Sequence, residues 1–124
     1  APAAWPALNV WRDGDEIFIE AEIPGFRLED IEIMASGDSL TLRGRRESAA
    51  PEGATPLRVE RSITRFERTV QLPVEIDPDA VEARLTDGVL RVTLPLAESA
   101  RPKRVQIQSV GTGSRKVLSG GDKK

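Results

Sequence analysis

The stretch EIFIEAEI, residues 16–23, sets Ile17, Ile19, Ala21 and Ile23 at every second position, with Glu16, Glu20 and Glu22 between them. Successive side chains of an extended strand leave opposite faces, so this alternation predicts a strand with one buried and one wet face. The same period of two recurs along the chain. It carries Leu8 and Val10 in 8–12, Ile31 and Ile33 in 30–35, and Leu40 and Leu42 in 40–45. It returns in 66–72, 81–85 and 89–95, where Val81, Ala83 and Leu85 share one parity. Turn residues punctuate the runs at Asp13-Gly14, Pro24-Gly25, Asp77-Pro78 and Asp87-Gly88. No stretch has a convincing helical period. Seven or eight short strands at this spacing predict an all-β chain, an antiparallel immunoglobulin-like β-sandwich over residues 8–96.

Two stretches depart from the pattern. ESAAPEGATP, 47–56, is a loop by composition, and with its flanks the segment 46–65 is long for a hairpin connection. After Pro95 the alternation stops, except that Val105 and Ile107 stand two apart in a basic tail, 97–124, expected to be a flexible extension. Nothing beside that pair reads as a partner. One position conflicts with its strand: in 66–72 the apolar parity holds Phe66, Val70 and Leu72, and also Arg68. An inward arginine needs a carboxylate or an interface, unless a bulge shifts the register or the guanidinium snorkels to an edge.

Composition narrows the function. A chain of 124 residues has room for one domain with one core. There is no Cys, His or Tyr, which removes disulfides, thiol catalysis, Ser-His couples and the common zinc sites. No apolar run is long enough for a membrane helix and no secretory signal opens the chain, so the cytoplasm is the expected location. Residues 1–100 hold 11 Arg and 19 acids, a balance of −8, whereas 101–124 hold 7 basic residues and one acid, +6. A basic tail can contact nucleic acid, but no aromatic stands among these charges to stack a base, so no nucleic-acid partner is expected. Asp77 and Asp79 flank Pro78 in a turn, where aspartate belongs without catalysis. Asp13, Asp15 and Glu16 are read as solvated acids around a hairpin turn. GTGSRK, 111–116, lacks the strand and the Lys-Ser/Thr ending of a phosphate loop. The expectation is a protein that is not an enzyme, takes no cofactor or metal, and binds or assembles.

ARLTDGVLRVTLP resembles the signature of the α-crystallin domain: Ala83, Leu85, Gly88, Val89 and Leu90 match its A-x-L-x-x-G-V-L pattern. DGDEIFIEAEIPGF resembles that family's first long strand closed by Pro-Gly, and RFERTVQLP its Arg-Phe-x-Arg…Leu-Pro segment, with Thr64 where the family has Gly. VQI resembles its C-terminal I-x-I motif, with Val105 for the first Ile. The chain is thereby identified as similar to bacterial small heat-shock proteins.

That resemblance implies an ATP-independent holdase that binds unfolding client proteins, prevents their aggregation and passes them to ATP-driven chaperones. It implies homodimers closed by exchange of a short strand within the long loop, here Leu57, Arg58, Val59, Glu60 and Arg61; the inward parity of Arg68 leads to the expectation that it pairs with acidic groups at or near that interface. It implies larger homo-oligomers built when the tail motif Val105 and Ile107 fills a groove flanked by Ile31, Ile33, Val81, Ala83 and Leu85 of a neighbour. The alternatives for the tail are folding back on its own domain or remaining free. It further implies an apolar arm before the domain, with residues 1–7, including Trp5, as its remnant. Burying two aliphatic side chains is worth roughly 3–6 kcal/mol before ordering costs, so one tail exchanges easily and many hold together. A non-enzymatic co-chaperone or interaction module on the same sandwich is the alternative, and would need neither the long loop nor the V-x-I tail.

Overall fold

The computed structural model describes residues 4–60, 63–102, 105–110 and 115–119. Seven strands form the body: β1 (Leu8–Asp13), β2 (Glu16–Glu22), β3 (Ile31–Ser36), β4 (Ser39–Glu47), β5 (Ile63–Gln71), β6 (Glu82–Thr86) and β7 (Val89–Pro95). They build a four-stranded sheet, β1-β2-β7-β6, and a three-stranded sheet, β3-β4-β5, each antiparallel throughout. The expected sandwich is what forms.

Its core follows the alternation. Ile17, Ile19, Ala21 and Ile23 are buried on the first sheet with Leu90, Val92, Leu94 and Leu96; Leu40, Leu42 and Phe66 close it from the second. Fully burying each aliphatic side chain contributes roughly 1.5–3 kcal/mol. Strand β5 begins at Ile63, three residues before the run the sequence marked, because Ile63–Arg65 continue the ladder opposite Arg45–Glu47.

The glycines of the signature positions have specific work. Asp87 (φ 52°) and Gly88 (φ 78°) form the two-residue turn between Thr86 and Val89, both in the left-handed region that a tight hairpin requires. Gly88 also accepts a 2.7 Å hydrogen bond from the Ile23 amide, and a Cβ there would stand 3.3 Å from Pro24 Cα. The turn of β6–β7 is thus stapled to the end of β2. Gly44 on β4 does something different: it lies opposite Phe66 and leaves the space that ring occupies.

The tail holds a departure from expectation. Strand β8 (Gln106–Val110) pairs antiparallel with β9 (Arg115–Ser119), a two-stranded sheet separate from the sandwich sheets. Ile107 of the motif therefore has a backbone partner, Leu118, which the sequence reading did not find. Val117 and Leu118 are adjacent rather than alternating, so no period marked the second strand.

Candidate functional site

Four edge strands bound the sandwich: β1 and β6 in one sheet, β3 and β5 in the other. Side-chain contacts show which edges meet. Arg68 on β5 donates a hydrogen bond from Nη1 to the carbonyl of Pro6, just before β1. The Trp5 ring meets Phe66 of β5 edge-on, with centroids 5.6 Å apart. β1 therefore lies beside β5, which leaves β3 and β6 to flank the opposite side.

On that opposite side the predicted groove residues fall as their parity requires. Ile31 and Ile33 on β3, Val81 just before β6, and Ala83 and Leu85 on β6 pack against the core yet are only partly buried. Their alternate neighbours, Glu32, Met34, Glu82 and Arg84, are exposed. Partly covered aliphatic rows along two unpaired edges can accept an extended segment with apolar side chains two apart, gaining strand hydrogen bonds and pocket contacts together. The tail motif has that form. Val105 is 46% and Ile107 58% exposed, so β9 pairs the strand's backbone without covering the motif.

The other side carries the second predicted element. Leu57 is 96% and Val59 59% exposed, Arg58 bridges Glu60 at 3.0 Å, and residues 57–60 make no strand within the chain. Arg61 lies outside the described residues. The edge strand β1 is likewise uncovered, with Val10 46% and Trp11 36% exposed.

Arg68 keeps the inward parity read from the sequence: Thr64, Arg68 and Val70 are partly buried and Phe66 fully, while Ile63, Arg65, Glu67, Thr69 and Gln71 are exposed. No bulge shifts the register. The acceptor is the Pro6 carbonyl, and no ion pair among the described residues includes Arg68. Hydrogen bonds from a charged donor contribute about 1.5–3 kcal/mol, so Arg68→Ala is expected to lower unfolding stability by about that amount. Arg68→Lys, which can still donate to one carbonyl, should recover part of the loss; the shift in urea midpoint at unchanged slope measures both.

Two features escaped the sequence reading. Trp5, assigned to an arm remnant, packs with Phe26 and Phe66, centroids 6.2 and 5.6 Å away, and caps the sandwich beside β5. Arg46 lies over the Phe26 ring at 5.6 Å and against Gly25. Isolated aromatics in three distant segments carry no local signal of meeting.

The remaining candidates behave as turn chemistry. Asp77 Oδ1 accepts from the Asp79 amide at 3.1 Å, capping the short turn Pro78–Ala80. Among the described residues no cluster of His, Cys, Asp or Glu is disposed to hold a metal ion, and no helix is long and apolar enough to cross a membrane. Residues 111–114 of the discounted phosphate-loop stretch lie outside the described residues. Among the described residues one pKa is displaced clearly: Arg43, on the outer face of β4, is held above the ordinary arginine range chiefly by Glu67, through hydrogen bond and charge, and then by Glu32.

The sandwich thus carries partly buried apolar edge rows, an uncovered loop segment and a strand-forming tail. Comparison with known proteins gives its family. The Hsp20/alpha crystallin family matches residues 9–108, and the chain belongs to it. Spore protein SP21 of Stigmatella aurantiaca is 36% identical over 118 residues, covering 94% of this chain and 70% of that one. Heat shock protein 16.0 from Schizosaccharomyces pombe superposes with a TM-score of 0.62 at 31% identity, covering 80% of this chain and 93% of that one. A small heat-shock protein from Xylella fastidiosa superposes with a TM-score of 0.60 at 27% identity, over 86% and 99%. The chain is thus a small heat-shock protein of chaperone type, with bacterial relatives among its matches.

Proposed function

We propose that this protein is an ATP-independent holdase, acting in the cytoplasm, that binds unfolding proteins through apolar edge surface and keeps them from aggregating until ATP-driven chaperones take them. The observation that carries this reading is the pair of partly buried aliphatic rows, Ile31 and Ile33 on β3 and Val81, Ala83 and Leu85 along β6, at edges that no other strand among the described residues covers. Such surface stays soluble in a monomer only in small patches, and it suits reversible contact with apolar chain.

Dimers form by exchange: the 57–61 segment of one copy adds to the open β1 edge of another, burying Leu57 and Val59. Arg68, held to Pro6 just before β1, supports that interface rather than forming its ion pair. Tails from neighbouring copies dock Val105 and Ile107 in the groove and link dimers into larger assemblies. The Xylella fastidiosa relative is described as having a distinct high order structure, which agrees with assembly as a family habit.

The test is light scattering of an aggregation-prone client heated with increasing amounts of this chain and no nucleotide. Scattering is expected to fall in proportion to added chain, toward baseline near equimolar amounts. Unchanged scattering at equimolar chain overturns the reading.

A further inference from the structure

The tail strand β8 pairs with β9 over five residue pairs, from Gln106 opposite Ser119 to Val110 opposite Arg115. This ribbon is a sheet of its own, joined to neither sandwich sheet. A two-stranded ribbon standing alone is marginal in water; a third strand or an apolar surface makes it stable. Each strand of such a ribbon retains one free edge, since alternate backbone groups point to opposite sides. The motif face is also free, with Val105 46% and Ile107 58% exposed while β9 is in place. Among the described residues the ribbon therefore has no third strand and its motif side chains are uncovered, and the β6 edge of the sandwich has no strand neighbour.

We propose that the unit docked at the β3/β6 edge is the whole β8–β9 ribbon of a second copy, rather than a single strand of tail. This rests on the groove reading above and adds a role for residues 115–119. β8 lies along the free edge of β6 and extends the four-stranded sheet to six strands. Both strands are five residues long, Glu82–Thr86 and Gln106–Val110, so they match without overhang. β9 holds Gln106–Val110, with Ile107 of the motif, extended before contact, so less backbone freedom is lost on docking. It also covers the outer edge of the added strand, which a lone docked tail would leave open. Charge fits a tail of this protein as the occupant: the sandwich-bearing residues 1–100 carry −8, from 11 Arg against 19 acids, and residues 101–124 carry +6, from 7 basic residues against one acid.

The experiment measures peptide binding by fluorescence anisotropy to the full chain carrying Val105→Ala with Ile107→Ala, whose own tail no longer competes. The probes are labelled peptides of residues 101–110 and 101–119, the latter also with Val117→Pro and Leu118→Pro. Adjacent amides of a strand point to opposite edges, so the double proline removes a ladder donor whichever way β9 faces, and it keeps Arg115 and Lys116. The 101–119 peptide is expected to bind about tenfold more tightly than 101–110, and the proline peptide to return to the weaker value. Equal affinity of the 101–119 and proline peptides overturns the ribbon while leaving the groove standing. A 101–119 peptide weaker than 101–110 does the same and makes β9 a competitor. If none binds, or if Val105→Ala with Ile107→Ala in the 101–110 peptide changes nothing, the groove reading falls and the ribbon with it.

Discussion

Gly44→Ala is expected to destabilise the sandwich by about 3 kcal/mol, near the upper end for overpacking a core. The backbone of Gly44 is ordinary, so the cost is steric. A Cβ at this position would stand 2.7 Å from Phe66 Cζ and 3.1 Å from Phe26 Cε2, inside the space the two rings fill. Phe26 and Phe66 pack edge to face with centroids 5.3 Å apart, and Trp5 closes on both. Displacing Phe66 therefore loosens three aromatic rings and the cap at the β5 side together. A single methyl on a well-placed strand residue would otherwise be favourable, since Ala has lost less backbone freedom than Gly on folding. The check is chemical denaturation of Gly44→Ala, Phe66→Leu and the double variant. If the clash is the mechanism, the double variant is more stable than the sum of the single losses predicts, by a coupling of about 1–3 kcal/mol. Strict additivity would show that Gly44 matters for another reason.

That residue also marks where sequence reading reached its limit. The strands were legible because each has two faces with different solvents, and EIFIEAEI writes both into consecutive positions. The parity of Ile31, Ile33, Val81, Ala83 and Leu85 was legible for the same reason, whereas their expected place beside an open edge came from the resemblance and not from alternation. Gly44 was not, because its importance lies in a ring that arrives from a strand paired across the long loop. Arg68 was half legible. Its inward parity could be read, but its acceptor is a main-chain carbonyl, and every residue carries one. β9 was missed because Val117 and Leu118 stand side by side in Arg115–Ser119 rather than alternating, and its pairing with β8 is backbone chemistry.

Replacing residues 48–62 by Asn-Gly is expected to turn a dimer into a folded monomer. Glu47 and Ile63 stand directly opposite each other at the end of the β4–β5 ladder, so a two-residue turn can close that hairpin without disturbing any pair behind it. The described part of that stretch, 48–60, is exposed throughout, Leu57 at 96% and Val59 at 59%. Chain length alone argues against a passive connection, since a loop this long costs closure entropy and exposes two aliphatic side chains for no return within the monomer. If those side chains are buried on the β1 edge of a second copy, losing both forfeits roughly 3–6 kcal/mol of association. At about 1.4 kcal/mol per tenfold, the dimer dissociation constant should rise by about two to four orders of magnitude. Sedimentation velocity across a concentration series reads the mass, and thermal melting shows whether the sandwich is intact. A shortened chain that melts as the parent does and sediments as a monomer assigns dimerisation to the loop. A shortened chain that remains dimeric with unchanged affinity would remove strand exchange from the account and direct the search to the uncovered edges themselves.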